Sequence, residues 1–156
     1  MNEKTNQFSY LKKIDIQNQT VFQQAELHFT PGLNVIIGEN GTGKSHLLKL
    51  AYSILAVSAD EGRKPNVGMP TKTLLQSRLA DKLINVFRPE TLGSLIQHGR
   101  NRKRCEVRAR FDNQKLDIHF SFSSQKIKQG TDHIFRYSRI HAPAWECIFW
   151  RYSCIK

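Results

Sequence analysis

No stretch of this 156-residue chain stays apolar for the roughly 20 residues that a bilayer-crossing helix requires, so a bundle of membrane spans is excluded. The first residues, Met1-Asn2-Glu3-Lys4-Thr5-Asn6-Gln7, are polar and lack the apolar centre of a secretion signal. Cysteine is scarce, with Cys105, Cys147 and Cys154 at spacings that suit neither a zinc site nor a disulfide framework. These absences point to a cytoplasmic protein with no membrane contact and reduced thiols. Hydrophobic residues make up 39% of the chain, which excludes wholesale disorder and allows one domain with its own core.

Acidic residues are also few, 13 against 24 lysines and arginines, leaving a net charge of +11. The imbalance is local. Residues 1–60 hold five of each sign, while residues 61–156 hold 19 basic and 8 acidic side chains. A polyanion such as DNA would suit the second part. So would a merely solvated basic surface, or one neutralised by a partner.

The most informative stretch is Gly38-Glu39-Asn40-Gly41-Thr42-Gly43-Lys44-Ser45. It satisfies G-x-x-x-x-G-K-[ST] at every fixed position. Leu33-Asn34-Val35-Ile36-Ile37 precedes it and reads as a short buried strand. Residues 45–57 follow with helical spacing, placing Leu47/Leu48, Ala51 and Ile54/Leu55 on one face. Glycines let the backbone approach a phosphate closely, and the free amides of a helix N-terminus converge on an anion. In that arrangement Lys44 reaches the β- and γ-phosphates of ATP, and the Ser45 hydroxyl ligates Mg2+. His46, in the first helical turn, completes a cofactor-binding set of residues 38–46.

Upstream, residues 8–16 and 25–29 alternate apolar and polar side chains and read as two strands joined by the turn Asn18-Gln19-Thr20. Downstream, residues 58–70 read as a loop. Thr71 is a candidate N-cap for a second helix, with Leu75, Leu79, Leu83 and Val86/Phe87 as its stripe and Pro89 as its stop. Residues 92–96 suggest a further helical turn. A hairpin is expected over 105–122, and residues 123–132 read as polar linker. Arg100, Arg102, Lys103, Arg104, Arg108 and Arg110 form a basic run against the single acid Glu106. Arg108 and Arg110 share one strand face. The run is a plausible footprint for a nucleic-acid backbone, or equally an exposed hairpin edge guarded by charge. His119 reads as a surface histidine. Both tryptophans, Trp145 and Trp150, crowd into the last dozen residues with two of the cysteines.

Two strands ahead of the glycine loop, together with the wording Pro31-Gly32-Leu33-Asn34-Val35-Ile36-Ile37-Gly38-Glu39-Asn40-Gly41-Thr42-Gly43-Lys44-Ser45, carry a resemblance. The chain resembles bacterial AAA-family ATPases of the ATP-binding-cassette type, related to SMC proteins, RecF and the OLD nucleases, most clearly over residues 10–57. The resemblance implies an α/β fold: a partial P-loop NTPase core with an antiparallel β-subdomain. It also implies heads that pair to sandwich two ATP molecules, with closure acting on DNA or on an attached effector. Pro143-Ala144-Trp145-Glu146 looks like a Pro-x-x-Glu segment of some of these ATPases, which would bring Glu146 toward the nucleotide.

Several parts needed for hydrolysis are missing from the sequence. After Ser45 no run of apolar residues ends in the acidic residue that would hold magnesium, the Walker B feature. The family's Ser-Gly-Gly signature and its switch histidine are absent, and no Asn-Lys-x-Asp guanine reader occurs. The expectation is therefore ATP binding by residues 1–142 as the N-terminal lobe of an ATPase head, with hydrolysis left open. Residues 143–156 read as an atypical tail of a truncated or frameshifted chain. A head-to-head homodimer or a partner chain supplying the missing motifs are both compatible with this. The alternatives are a basic nucleic-acid-binding module with a regulatory nucleotide, and a non-functional remnant.

Overall fold

A computed structural model describes residues 9–62, 72–98, 103–123 and 136–139. Residues 1–8, 63–71, 99–102, 124–135 and 140–156, and with them Phe8, Thr71, Arg100, Arg102, most of the expected linker and the whole expected tail with Glu146, lie outside them.

Five strands form one antiparallel sheet: β1 (Leu11–Gln19), β2 (Phe22–His28), β3 (Arg104–Phe111), β4 (Ile118–Ser123) and β5 (Arg136–Arg139). Their spatial order is β2-β1-β3-β4-β5. Period-two alternation explains why these segments are strands. Ile14 and Ile16 of β1 are fully buried, while Lys13 and Asp15 turn to the other face. On β3, Cys105, Val107, Ala109 and Phe111 are buried and Arg108 and Arg110 are exposed, as the alternation predicts. Phe120 and Phe122 of β4 continue the inner face.

Helices α1 (Lys44–Gly62) and α2 (Lys72–Phe87) complete the core. Leu47, Leu50, Ile54 and Val57 of α1 and Leu75, Leu79 and Leu83 of α2 join the inner sheet face in one apolar cluster. Short 3-10 turns lie at Leu92–Leu95, within the expected helical turn, and at Gln114–Leu116 in the β3–β4 connection. No helix among the described residues is long and apolar enough to cross a membrane.

Three readings need correction. Residues 33–37 are not a buried strand: they pair with no described strand, and Leu33 and Ile37 are each 87% exposed. A strand hidden on both faces needs neighbours at both edges, and all five described strands belong to the other, antiparallel sheet. The α1 stripe is rotated from the expected one. Leu50 and Val57 are inside, while Leu48 is 58% exposed, because a leucine pair leaves the sequence free to bury either member. Finally, α1 runs through Gly62, past the expected loop start at 58, since Ala59, Asp60 and Glu61 contain no breaker.

The buried face of α1 gives a direct test. Leu50→Ala should destabilise the domain by about 2–5 kcal/mol, the usual range for opening a core cavity. Leu48→Ala should fall below roughly 1 kcal/mol. Urea unfolding of the two variants measures both, and a larger loss at Leu48 would contradict this packing.

Candidate functional site

The glycine loop runs directly into the first turn of α1, which begins at Lys44. Gly41 and Gly43 have φ of +83° and +93°, a backbone region that residues with a Cβ seldom enter. At Gly43 there is a second reason for glycine. A Cβ there would lie 2.5 Å from Val21 Cγ2 and 2.7 Å from Phe22 Cζ. The β1–β2 hairpin tip thus packs against the last glycine of the loop. That tip is braced from behind: the Thr20 amide donates to the Leu95 carbonyl at 2.7 Å, and the Gln97 amide to the Asn18 carbonyl at 3.0 Å. Asn18 and Thr20 themselves turn the chain with positive φ.

Lys44 folds back over the loop. Its ammonium donates to the Gly38 carbonyl at 2.7 Å and to the Glu39 carbonyl at 2.5 Å. The Thr42 hydroxyl donates to the same Glu39 carbonyl at 2.9 Å. The loop is therefore closed by its own side chains, with the lysine charge held at its centre. The first turn of α1 contains no acidic residue, so nothing on the helix neutralises its positive end. Ser45 is exposed there. His46 is half-buried, with its ring 5.7 Å from that of Phe87 at the end of α2 and a buried Nδ1 that has no hydrogen-bond partner. The Lys49 ammonium lies 5.6 Å from the same Phe87 ring. Residues 38–46 thus form the loop and the first turn of α1.

Sequence reasoning missed Val21 and Phe22, and read Phe87 only as part of the α2 stripe. The polar turn Asn18-Gln19-Thr20 signalled the hairpin, but the contact that makes it part of the loop is long-range.

The outer face of the sheet holds Arg108 and Arg110 of the basic run in ion pairs. Arg108 contacts Glu106 at 2.6 Å, and Arg110 contacts Asp15 at 3.4 Å. His119, across the β3–β4 register from Arg108, is 2.7 Å from Glu106. Lys13 bridges Asp15 at 3.0 Å and Glu26 at 2.7 Å, and His28 is 2.8 Å from Glu26. Lys103 donates to the Gln97 side chain at 2.8 Å, and Arg104 is exposed. The four described nucleic-acid candidates are therefore not one bare patch.

These contacts set the titration of the carboxylates. Hydrogen bonds from Lys13 and then His28 lower Glu26 to about 2. Arg108, followed by a smaller contribution from His119, lowers Glu106 against the opposing effect of burial. Lys13 is raised by Glu26 and Asp15. The Cys105 thiol is pushed far up by burial and is chemically quiet. No group of three His, Cys, Asp or Glu side chains able to hold a metal occurs among the described residues.

Comparison with known proteins places this geometry. A family model described as an AAA ATPase domain matches residues 10–140. The DNA replication and repair protein RecF of Phocaeicola vulgatus is 50% identical over 42 residues, covering 27% of this chain and 11% of that protein. RecF of Latilactobacillus sakei is 37% identical over 49 residues, covering 31% and 13%. The matched part of this chain thus spans only about an eighth or less of those relatives. A solved structure of the recombination mediator protein RecF with ATP superposes with a TM-score of 0.50 at 19% identity. It covers 93% of this chain and 31% of that one, a likeness of fold.

Two outcomes are expected from this geometry. Gly43→Ala should lower stability by about 1–3 kcal/mol, the scale of left-handed strain plus displaced neighbours, as read by thermal melting. Lowered carboxylate values mean that the unfolded chain binds more protons at acidic pH. The Glu26 contribution is therefore complete above its ordinary value of 4.5 and fades as pH falls toward about 2, and that of Glu106 is likewise lost as pH falls below its ordinary value. Acid titration of Glu106→Gln should show a shallower loss of stability than the parent protein.

Proposed function

The chain belongs to the AAA ATPase domain family, and from that premise we propose that residues 38–46 bind Mg-ATP. The observation that carries the reading is the Lys44 ammonium, poised at the centre of a glycine loop that ends on an unneutralised helix N-terminus. Arriving phosphate oxygens would replace the Gly38 and Glu39 carbonyls as acceptors for Lys44. Loop and first-turn amides would supply the remaining donors. Mg2+ fits this donor set in a limited way. It retains several waters and is commonly held by substrate phosphates plus one or two protein oxygens, and Ser45 offers one such oxygen. Bound there, the ion would offset the charge of the triphosphate. His46, with its unpartnered Nδ1 beside the loop, belongs to the same binding set.

Binding and turnover separate in this reading. Hydrolysis requires an acid to hold the metal and a group to orient water. Neither is identified in the chain, so the reading assigns nucleotide binding without turnover by these residues alone. The missing motifs would come from a paired head or a second chain. A cytoplasmic setting belongs to the same proposal.

A second reading keeps a weaker place. The net charge of +11 favours a nucleic-acid partner. The exposed Arg104 supports it, while the carboxylates on Arg108 and Arg110 count against a free backbone clamp at those two positions.

Calorimetry should find Mg-ATP binding to the full chain, and Lys44→Ala should weaken it roughly tenfold or more. Loss of one charge-assisted contact of about 1.5–3 kcal/mol has that consequence. Saturating Mg-ATP, at about 100 times its Kd, should add about 2.7 kcal/mol of stability. Phosphate release should stay at background. Unchanged affinity in Lys44→Ala would remove the proposal.

A further inference from the structure

We propose that Arg88, directly after α2, is a further phosphate-binding residue of the nucleotide site, brought to the triphosphate by the second helix. This rests on the nucleotide reading of residues 38–46.

The two helices run antiparallel, and that sets the position. Lys82 lies 3.7 Å from Asp60 near the end of α1 and 5.7 Å from the Tyr52 ring midway along it. Phe87, the last residue of α2, meets His46 and Lys49 in the opening turns of α1. The C-terminus of α2 therefore abuts the end of α1 that carries the loop, and Arg88 is the next residue along. The same border holds the buried Nδ1 of His46, a polar atom that no described residue satisfies.

The backbone at Arg88 is unusual. Its φ is +54°, in the left-handed region. Among the described residues other than glycine, only Asn18 and Thr20 share that region, and they turn the β1–β2 hairpin. Arg88 closes α2: its amide donates to the Ile84 carbonyl at 2.8 Å, and Pro89 stops the helix. Glycine or asparagine fills such a position with less strain. The side chain is exposed, so packing does not explain an arginine here.

Charge gives it a use. Lys13, Lys82, Arg108 and Arg110 each lie against a carboxylate. Among the described residues no carboxylate pairs with Arg88. The carbonyl end of α2 sets partial negative charge beside the α1 N-terminus, which would weaken an anion site there. A cation at this point offsets it. A guanidinium also presents paired donors that match two phosphate oxygens.

Calorimetry of the full chain with Mg-ATP supplies the test. Arg88→Gln should weaken binding roughly fivefold or more, the scale of one charge-assisted contact. Arg88→Lys should lose less and Arg88→Glu most. Lys12→Gln removes an exposed charge at the end of β1 away from the hairpin tip and should bind as the parent does. Without nucleotide, Arg88→Gly should melt no lower than the parent, because glycine accepts this backbone freely, yet it should lose as much affinity as Arg88→Gln. Affinity of Arg88→Gln within about twofold of a parent that binds Mg-ATP would overturn the proposal and leave the loop reading standing. An equal loss in Lys12→Gln would reduce the effect to net charge. A fall in melting temperature of Arg88→Gly would reduce Arg88 to a structural cap of α2. Either result also overturns it. A parent chain that binds no Mg-ATP would remove the loop reading and this one together.

Discussion

The contact of Val21 and Phe22 with Gly43 joins the sheet to the loop, and the position of the loop's end and of the α1 N-terminus follows from it. A glycine loop alone is flexible. Here its last glycine is pressed against a hairpin tip that is bonded in turn to the 92–97 segment. That segment places Leu92, Leu95 and Ile96 in the same apolar cluster as α1 and α2. The start of α1 is thus fixed from the sheet side by packing and from the helix side by its own buried leucines. Rigidity of this kind lets a helix N-terminus act as an anion site, because donors already aligned need little reorganisation when the ligand arrives.

The outer face of the sheet solves a different problem. Its basic residues alternate with apolar ones simply because β3 is a strand, and neighbouring strands bring carboxylates into register with them. Asp15 lies across from Arg108, and Lys13 from Arg110. The contacts then run diagonally between strands, Arg110 to Asp15, or along β3, Arg108 to Glu106. Exposed pairs of this sort add little stability individually. Their larger effect is to quench the local field, so positive charge counted along the chain overstates the charge a ligand would meet on this face.

How much was legible in the sequence depends on how local each feature is. The glycine loop was legible because its turn geometry resides in consecutive residues. The antiparallel strands and the stripe of α2 were legible because period and burial coincide there. Leu33–Ile37 misled because its composition is that of a doubly buried strand, and composition cannot reveal whether neighbours exist. Leu48 misled because its sequence neighbour Leu47 took the inside position, a choice set by the sheet face opposite. The Phe87 contact with His46 and the fit of Val21 to Gly43 join residues dozens apart or folded across a hairpin, and no spacing rule encodes them.

The loop and its setting also separate two properties that a motif tends to merge. Holding a triphosphate needs donors and positive charge, and residues 38–46 concentrate both within a single turn. Cleaving it needs a carboxylate-held metal and an oriented water, groups that normally come from strands beside the loop. In this chain the segment leading into the loop is the place where such strands are lacking among the described residues. In the proposed reading residues 38–46 account for holding the triphosphate, and its cleavage waits on groups outside them.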